Sequence, residues 1–405
     1  MGHTITAIVP TFNRGAMLAE TLTGILRQKR PVDQIIVQDD GSTDETPEIV
    51  APLVAAEGHR LHYERTENGG KSRALNRALS KATGDYIWIC DDDDIALPEA
   101  TAKLAAHLDA DPTLGVVAGR HERFSTRPDG KPVLDGTGYW PDLSRGSALR
   151  HTLEDIFFFQ NATLVRRDCY DCVGPFDETL TRSIDYEMTV RLLARFPAQV
   201  IEDVIFLQRK HDGARGPAGQ QHAAARSEEV WRETDREIFA RFRHDLPLSL
   251  YEAMFETGDP GRRRRAALLE RGAVYARRRD WEAALEDFEA AARLAPACDL
   301  SVEEARIAVR AMAAKHGADE VFAPERRRSL RRIARSGRAG RSLTRWLGRG
   351  ALWRLRAAVE ARQAREAMRI AAFLAAVPPA TDPIPETADP ALRERDTLPL
   401  EAYAW

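Results

Sequence analysis

The sequence predicts an α/β fold, a mostly parallel sheet with helices on both faces, followed by an α-helical C-terminal region. Three observations carry this. Apolar, strand-like runs alternate with helix-like segments from the first residues onward. Polar clusters stand where several of those strands end, and beyond Gly258-Asp259-Pro260-Gly261 the pattern turns helical. With 43% apolar and 30% charged residues over 405 positions, disorder of the whole chain is excluded and two or three domains are expected.

Taken in order, Thr4 to Pro10 reads as a buried strand, and Leu18 to Gln28 spaces its apolar residues as a helix does. A second strand, Gln34 to Gln38, stops at the turn cluster Asp39-Asp40-Gly41-Ser42-Thr43-Asp44, which opens a helix over Glu45 to Glu57. The short strand His62 to Arg65 is followed by Asn68-Gly69-Gly70 and a helix from Lys71 to Ala82. Then Tyr86 to Cys90, another apolar strand, runs into four consecutive aspartates, Asp91 to Asp94. Ligands of such sheets bind beyond the carboxyl ends of the strands, where Pro10-Thr11, Asp39-Asp40 and Asp91 to Asp94 all fall. Adjacent carboxylates repel when packed against a core, and a hard divalent cation, Mn²⁺ or Mg²⁺, is the usual compensation. A solvated acidic turn is the alternative.

The motifs resemble those of the family-2 glycosyltransferases, whose fold is called GT-A. The matching pieces are Ile8 to Arg14, Val37 to Asp44, Asn68-Gly69-Gly70 through Ala74 and Asn76, and Gly84 to Asp94, in family order and spacing. Val173 to Glu178 and Asp185 to Met188 through Arg191 look like the acceptor-side motifs, so the resemblance covers residues 4 to 215. It implies a nucleotide-diphosphate sugar donor, an inverting transfer to an acceptor hydroxyl, and a divalent metal. Residue by residue it implies a nucleotide pocket lined by Pro10 and Thr11, with Asp40, or else Asp39, reading the base edge. Asp91 and Asp92 face the nucleotide, Asp93 holds the metal, and Asp94 supports them. Lys71 and Arg73 stand where they can meet phosphate oxygens, or else lie on an exposed helix face. Asp185 aligns with the general base, although Ile184 replaces the glutamate usual before it; the alternative is a helix N-cap. His211 falls where relatives carry a histidine that completes the metal shell or contacts the diphosphate. Tyr139-Trp140 offers either a stacking platform for a sugar or a packed aromatic pair.

In the second half, Gly272, Tyr275, Ala284, Phe288, Ala291 and Pro296 reproduce the spacing of one tetratricopeptide repeat, two helices divided near Asp280. One repeat cannot bury its own faces, so it should lean on helices at Ser227 to Phe242 and Val302 to Ala314 and offer a surface to a protein partner. Between Arg326 and Arg356 lie twelve arginines with no lysine and no acid, which leaves the rest of the chain at −15 against a total of −3. Leucines and tryptophans interleave with these arginines, suiting an anionic membrane surface or an acidic partner better than nucleic acid; the alternative is a solvated basic face that complements the acidic remainder of the chain. Gly337, Gly340, Gly348 and Gly350 argue against one long helix there. The boundaries read 1–220 for the transferase domain, 221–260 for a helical connection, 261–320 for the repeat-like pair, 321–377 for the arginine-rich segment and 378–405 for an extended tail. No apolar stretch is long enough to span a bilayer and no secretory leader is visible, so a cytoplasmic location is expected, with peripheral contact at the inner membrane face left open. Cys169 and Cys172 have the spacing of half a zinc site without a second pair, and two part-buried thiols are expected.

The acceptor class stays open among a glycan, a lipid-linked saccharide, a metabolite and a peptide. Two rivals remain beside the transferase: a nucleotidyltransferase on a related fold, for which a glycine-rich activation loop is missing, and a non-catalytic helical scaffold.

Overall fold

A computed structural model describes residues 2–127, 132–210, 224–314, 318–385, 387 and 389–405. It divides into two compact units, one formed by residues 1–142 and 156–227 and the other by 143–155 and 228–405.

The first unit opens with β1 (Ile5–Thr11), α1 (Gly15–Leu26), β2 (Gln34–Asp39), α2 (Thr46–Glu57), β3 (Leu61–Arg65), α3 (Lys71–Leu79) and β4 (Tyr86–Ile89). It continues through β5 (Ile95–Ala96), α4 (Ala100–Ala110), β6 (Val116–Thr126) and β7 (Pro132–Thr137). After α5 (Ala148–Glu154), which belongs to the second unit, come β8 (Thr163–Arg166), α6 (Arg167–Val173), α7 (Ile184–Arg195) and β9 (Ala198–Lys210). The strands form one sheet in the order β3-β2-β1-β4-β8-β6-β9-β5, with β7 added to β6. Strands β3, β2, β1 and β4 run parallel, as the alternation of strand and helix requires. Beyond β4 the sheet is mixed: β8 is antiparallel to both β4 and β6, whereas β6 and β9 are parallel.

Every residue of β1 is buried, which is why it reads as an uninterrupted apolar run. Ile5, Val9, Leu22, Ile35, Trp88 and Leu104 join one core between the sheet and the flanking helices α1 and α4. At roughly 25 cal/mol per Å² of apolar surface, a core of this kind is the main force holding the strand ends in register.

The second unit adds α8 (Ala224–Asp245), α9 (Leu248–Glu252), β10 (Phe255–Glu256), α10 (Pro260–Arg277), α11 (Trp281–Leu294) and α12 (Val302–Arg310). Then follow α13 (Pro324–Arg335), α14 (Arg338–Glu360), α15 (Ala364–Ala376) and β11 (Arg393–Glu394). Helices α10 and α11 form the expected pair, with Asp280 as the N-cap of α11 accepting from the Ala283 N–H at 3.1 Å. Gly272 admits the Phe288 ring, for a Cβ there would lie 2.6 Å from it. The pair leans on both neighbours: Tyr275 donates to the Phe239 carbonyl of α8 at 3.0 Å, and Arg265 makes two 2.6 Å bonds to Glu304 of α12.

One expectation holds only in part. The arginine-rich stretch is divided at Gly337, between α13 and α14, but Gly340, Gly348 and Gly350 lie inside a single 23-residue helix, α14. Those glycines sit at close approaches: a Cβ on Gly340 would lie 1.9 Å from the Ile333 carbonyl oxygen, on Gly348 2.6 Å from that of Val377, and on Gly350 2.8 Å from that of Val309. Packing space, not chain breaking, is what they supply. The C-terminal stretch read as an extended tail contains β11, which pairs with β10, and it buries Leu392, Glu394 and Leu398.

Candidate functional site

Register brings the strand ends together. Thr11 is the partner of Asp39 across β1 and β2, and the Cys90 N–H donates to the Ile8 carbonyl across β1 and β4 at 2.9 Å. Pro10, buried beside Gln38, completes the same edge. The Thr11 hydroxyl donates to Asp92 at 2.7 Å. Arg14, just before α1, donates to Asp92 at 3.2 Å and to Asp93.

The four aspartates therefore differ in surroundings. Asp92 and Asp94 are buried, while Asp91 and Asp93 are partly exposed, in a turn centred on Asp92 and Asp93. Burial pushes the Asp92 carboxyl up to about 6 against the pull of Arg14, with Asp93 adding to the rise. Burial also raises Asp94 well above the usual carboxylate range, and Asp93 and Asp91 reinforce it. Asp94 accepts from the Asn161 amide at 2.6 Å and the Arg209 N–H at 2.8 Å, so it ties the acidic turn to the short turn before β8 and to β9. Asn161 also accepts from the Asp91 N–H at 3.1 Å, and its own carbonyl accepts from the Trp88 indole at 2.8 Å. Burial would lower the Arg14 pKa, but Asp92 and Asp93 overcome this and raise it.

At the end of β2, Asp39 accepts from the Ser42 N–H at 2.7 Å and from the Tyr63 hydroxyl. Asp40 accepts from the N–H groups of Gly69 and Gly70, both at 2.8 Å, and so holds the turn that starts α3. Gly70 has φ of 91°, a backbone region that disfavours any residue with a Cβ. Both carboxylates are buried, with lone pairs left for a further donor.

Helix α3 then aims Lys71 at the acidic turn, where it contacts Asp91 at 2.5 Å. Asp91 and then Asp185 raise its pKa, so Lys71 remains a cation. Asp185 itself is raised, by burial first, with Lys71 opposing and Asp91 assisting. It lies within the first turn of α7, whose N-cap is Ser183 in the left-handed region at φ 52°, so Asp185 is not the cap. Arg73 takes a different course and pairs with Glu178 at 3.1 Å. Asn76 binds the Phe176 backbone on both sides, at 2.8 and 3.0 Å, and Arg191 donates to the carbonyls of Val173 and Pro175 at 2.8 Å. The loop between α6 and α7 is thereby clamped to α3 and α7.

Strand register unites Thr11, Asp39, Asp40 and the acidic run, while the first turn of α3 brings Lys71 to Asp91, and Asp185 in the first turn of α7 couples electrostatically to both. His211 lies outside the described residues. Trp140 is occupied by packing, its indole donating to Glu202 at 3.1 Å, with Phe157 against its ring and Arg120 stacked 4.9 Å from the centroid. Arg14 and Asn161 were not singled out as site residues. Arg14 had a visible signal, a cation three residues after Thr11 at a helix start; Asn161, seventy residues from Asp91, had none. Among the described residues no group of three or more His, Cys, Asp or Glu side chains is arranged to hold a metal ion. The partly exposed Asp91 and Asp93 nevertheless offer two hard oxygen donors, whose charge helps raise the buried Asp92 and Asp94, and that chemistry fits Mg²⁺ or Mn²⁺.

A curled mixed sheet with carboxylates at its strand ends defines the GT-A class of fold. Residues 6–174 match the model of Glycosyl transferase family 2. Over 118 residues the chain is 34% identical to the glycosyltransferase GlyG of Streptococcus pneumoniae, covering 28% of this chain and 39% of that protein. Over 115 residues it is 30% identical to the poly-β-1,6-N-acetyl-D-glucosamine synthase of Staphylococcus aureus, covering 28% of each. The chain thus spans well under half the length of either relative. The fold is similar to that of S. aureus TarS residues 1–349, solved in complex with UDP-GlcNAc, with a TM-score of 0.50 and 18% identity over 84% of this chain and 90% of that one. No helix among the described residues is long and apolar enough to cross a membrane.

Proposed function

We propose that this chain is an inverting, metal-dependent glycosyltransferase that moves a sugar from a nucleotide-diphosphate donor to an acceptor hydroxyl. The observation that supports the reading is that Lys71 pairs with Asp91 of the acidic turn while Asp185 of α7 also favours its charge. A cation suited to a phosphate oxygen is thus coupled both to the acidic run and to the candidate base.

In this mechanism Pro10, Thr11, Asp39 and Asp40 bind the nucleoside, with a carboxylate accepting from the base edge. Asp91 and Asp93 would hold the divalent cation, with Asp92 shaping the floor beneath them and His211 as a further candidate ligand. Such an ion, when bound, supplies positive charge against the departing diphosphate. Lys71 exchanges Asp91 for a phosphate oxygen of the donor, with Arg73 at the outer edge. Asp185 takes the proton of the acceptor hydroxyl. The acceptor oxygen forms its bond to the anomeric carbon from the side opposite the nucleotide, the carbon–oxygen bond to the diphosphate breaks, and the diphosphate leaves with the electron pair. A carboxyl with a raised pKa is better matched to this task near neutrality than an ordinary aspartate.

The test is turnover of nucleotide sugars with and without Mn²⁺ or Mg²⁺. Asp93→Ala should lower metal-dependent donor turnover by roughly a hundredfold or more while the thermal melt stays close to that of the parent chain. Full activity in that variant would remove Asp93 from the metal. Thermal-shift screening against nucleotide diphosphates with Mn²⁺ would identify the nucleotide.

A further inference from the structure

The arginine-rich run divides into two sets. One set is used internally: Arg349 donates to the Ala380 carbonyl at 3.2 Å, Arg354 donates to those of Met312 and Ala314 at 2.9 and 2.6 Å, and Arg338 pairs with Asp299 at 2.5 Å. The other set, Arg341, Arg345 and Arg356 on α14 with Arg328, Arg331 and Arg335 on α13, has no acidic partner among the described residues, and all six are exposed. Their charge is uncompensated on that surface.

Helical spacing places each helix's exposed arginines on one face of that helix. On α14 the buried residues Leu343, Leu347, Ala351 and Ala358 form the inward face, and Arg341, Arg345, Leu352, Arg356 and Val359 recur on the opposite one. Leu352 and Val359 in that outer stripe are 36% and 60% exposed, and Trp353, one position round the helix from Leu352, is 49% exposed. A 23-residue helix is about 35 Å long, so the stripe is a basic track ending in an apolar patch.

We propose that the outer face of α14, with the arginine stripe of α13 beside it, docks in the plane of an anionic lipid bilayer. The arginines meet lipid phosphates and carboxylates while Leu352, Trp353 and Val359 enter the boundary between headgroups and acyl chains. Charge alone would suit a nucleic acid or an acidic protein equally. The lipid surface is favoured because it covers both halves of the stripe at once, including the apolar residues that phosphate contacts leave in water. This surface lies outside the proposed sugar-transfer site and stands or falls independently of it.

Co-sedimentation of the full chain with vesicles tests this. Binding should be strong to phosphatidylcholine vesicles containing roughly one-third phosphatidylserine, weak to phosphatidylcholine alone, and reduced by salt. The triple variant R341E/R345E/R356E should lower partition by about a hundredfold or more. A second triple variant, R328E/R331E/R335E, should act in the same direction, and Trp353→Ala should weaken binding several-fold even at low salt. Circular dichroism melts establish that each variant is folded. Equal partition onto both vesicle types, or charge-reversed folded variants that bind as the parent does, would overturn the proposal. So would tighter binding to a single-stranded oligonucleotide or to polyglutamate that is indifferent to Trp353→Ala.

Discussion

Asp185 can act as a base only while ionised, and burial raises its pKa. The acid limb of a plot of log kcat/KM against pH should accordingly sit above the ordinary carboxylate range near 3.8, with activity rising as pH increases through it. Asp185→Asn should lose roughly a hundred- to ten-thousandfold in transfer while retaining donor binding, as read by calorimetry with the nucleotide diphosphate. Unchanged transfer would move the base elsewhere. Arg14 offers a second test at this scale. Its guanidinium occupies Asp92 and Asp93, so a divalent cation at Asp93 must compete with it. Arg14→Met should therefore tighten Mn²⁺ binding by about tenfold, equivalent to ~1.4 kcal/mol, in a direct titration without substrate. Weaker Mn²⁺ binding would instead make Arg14 a support that orients the carboxylates.

Among the elements, α14 sets intrinsic propensity against packing. Replacing Gly340 with alanine should gain about 1 kcal/mol of helix propensity in isolation. The new Cβ would lie 1.9 Å from the Ile333 carbonyl oxygen, at a turn where α13 and α14 meet. Overpacking costs about 1–3 kcal/mol, more when backbone must move, so Gly340→Ala should be destabilising overall in a urea titration. A neutral or stabilised variant would mean the turn relaxes freely. The same competition explains how the sequence misleads: Gly337 does divide α13 from α14, but Gly340, Gly348 and Gly350 read as breaks because propensity is local, whereas the need for space is set by the neighbouring chain. Elements whose pattern and packing agree, such as β1, β2 and the α10–α11 pair, are legible from sequence almost to their ends.

Across the helical unit, a buried ion network joins distant parts of the chain. Arg310 contacts Glu154 at 2.7 Å, Glu270 at 2.6 Å and Glu394 at 2.5 Å, and Arg150 reaches Glu394 at 3.3 Å. Burial drives the Glu270 carboxyl from 4.5 up to about 8 despite Arg310, with Glu154 and Glu394 adding to the rise, and its Oε1 has no hydrogen-bond partner among the described residues. A carboxyl whose folded pKa is raised holds its proton more tightly when folded, so stability should fall as pH rises from about 4.5 to about 8 and then level off. Glu270→Gln should flatten that fall and raise the melting temperature at pH 9, by about 2–4 °C for each kcal/mol recovered. A steeper fall in the variant would show that Arg310 needs the third carboxylate ionised.

Read alone, the chain disclosed what depends on residues close in sequence: the alternation of strand and helix, the strand-end clusters, the family motifs and the α10–α11 helix pair. Each is a local pattern, written by side-chain periodicity and turn chemistry. Tertiary structure decided what depends on register and packing. It alone sets Asp92 and Asp94 inward and Asp91 and Asp93 outward, bonds Asn161 to Asp91 and Asp94, and brings Lys71 to Asp91. Glu394 reaches Arg310 across 84 residues for the same reason, through long-range contacts that no local pattern encodes. The physical cause is that burial and Coulomb interactions act through space, so the charge of a site belongs to the fold and not to the motif.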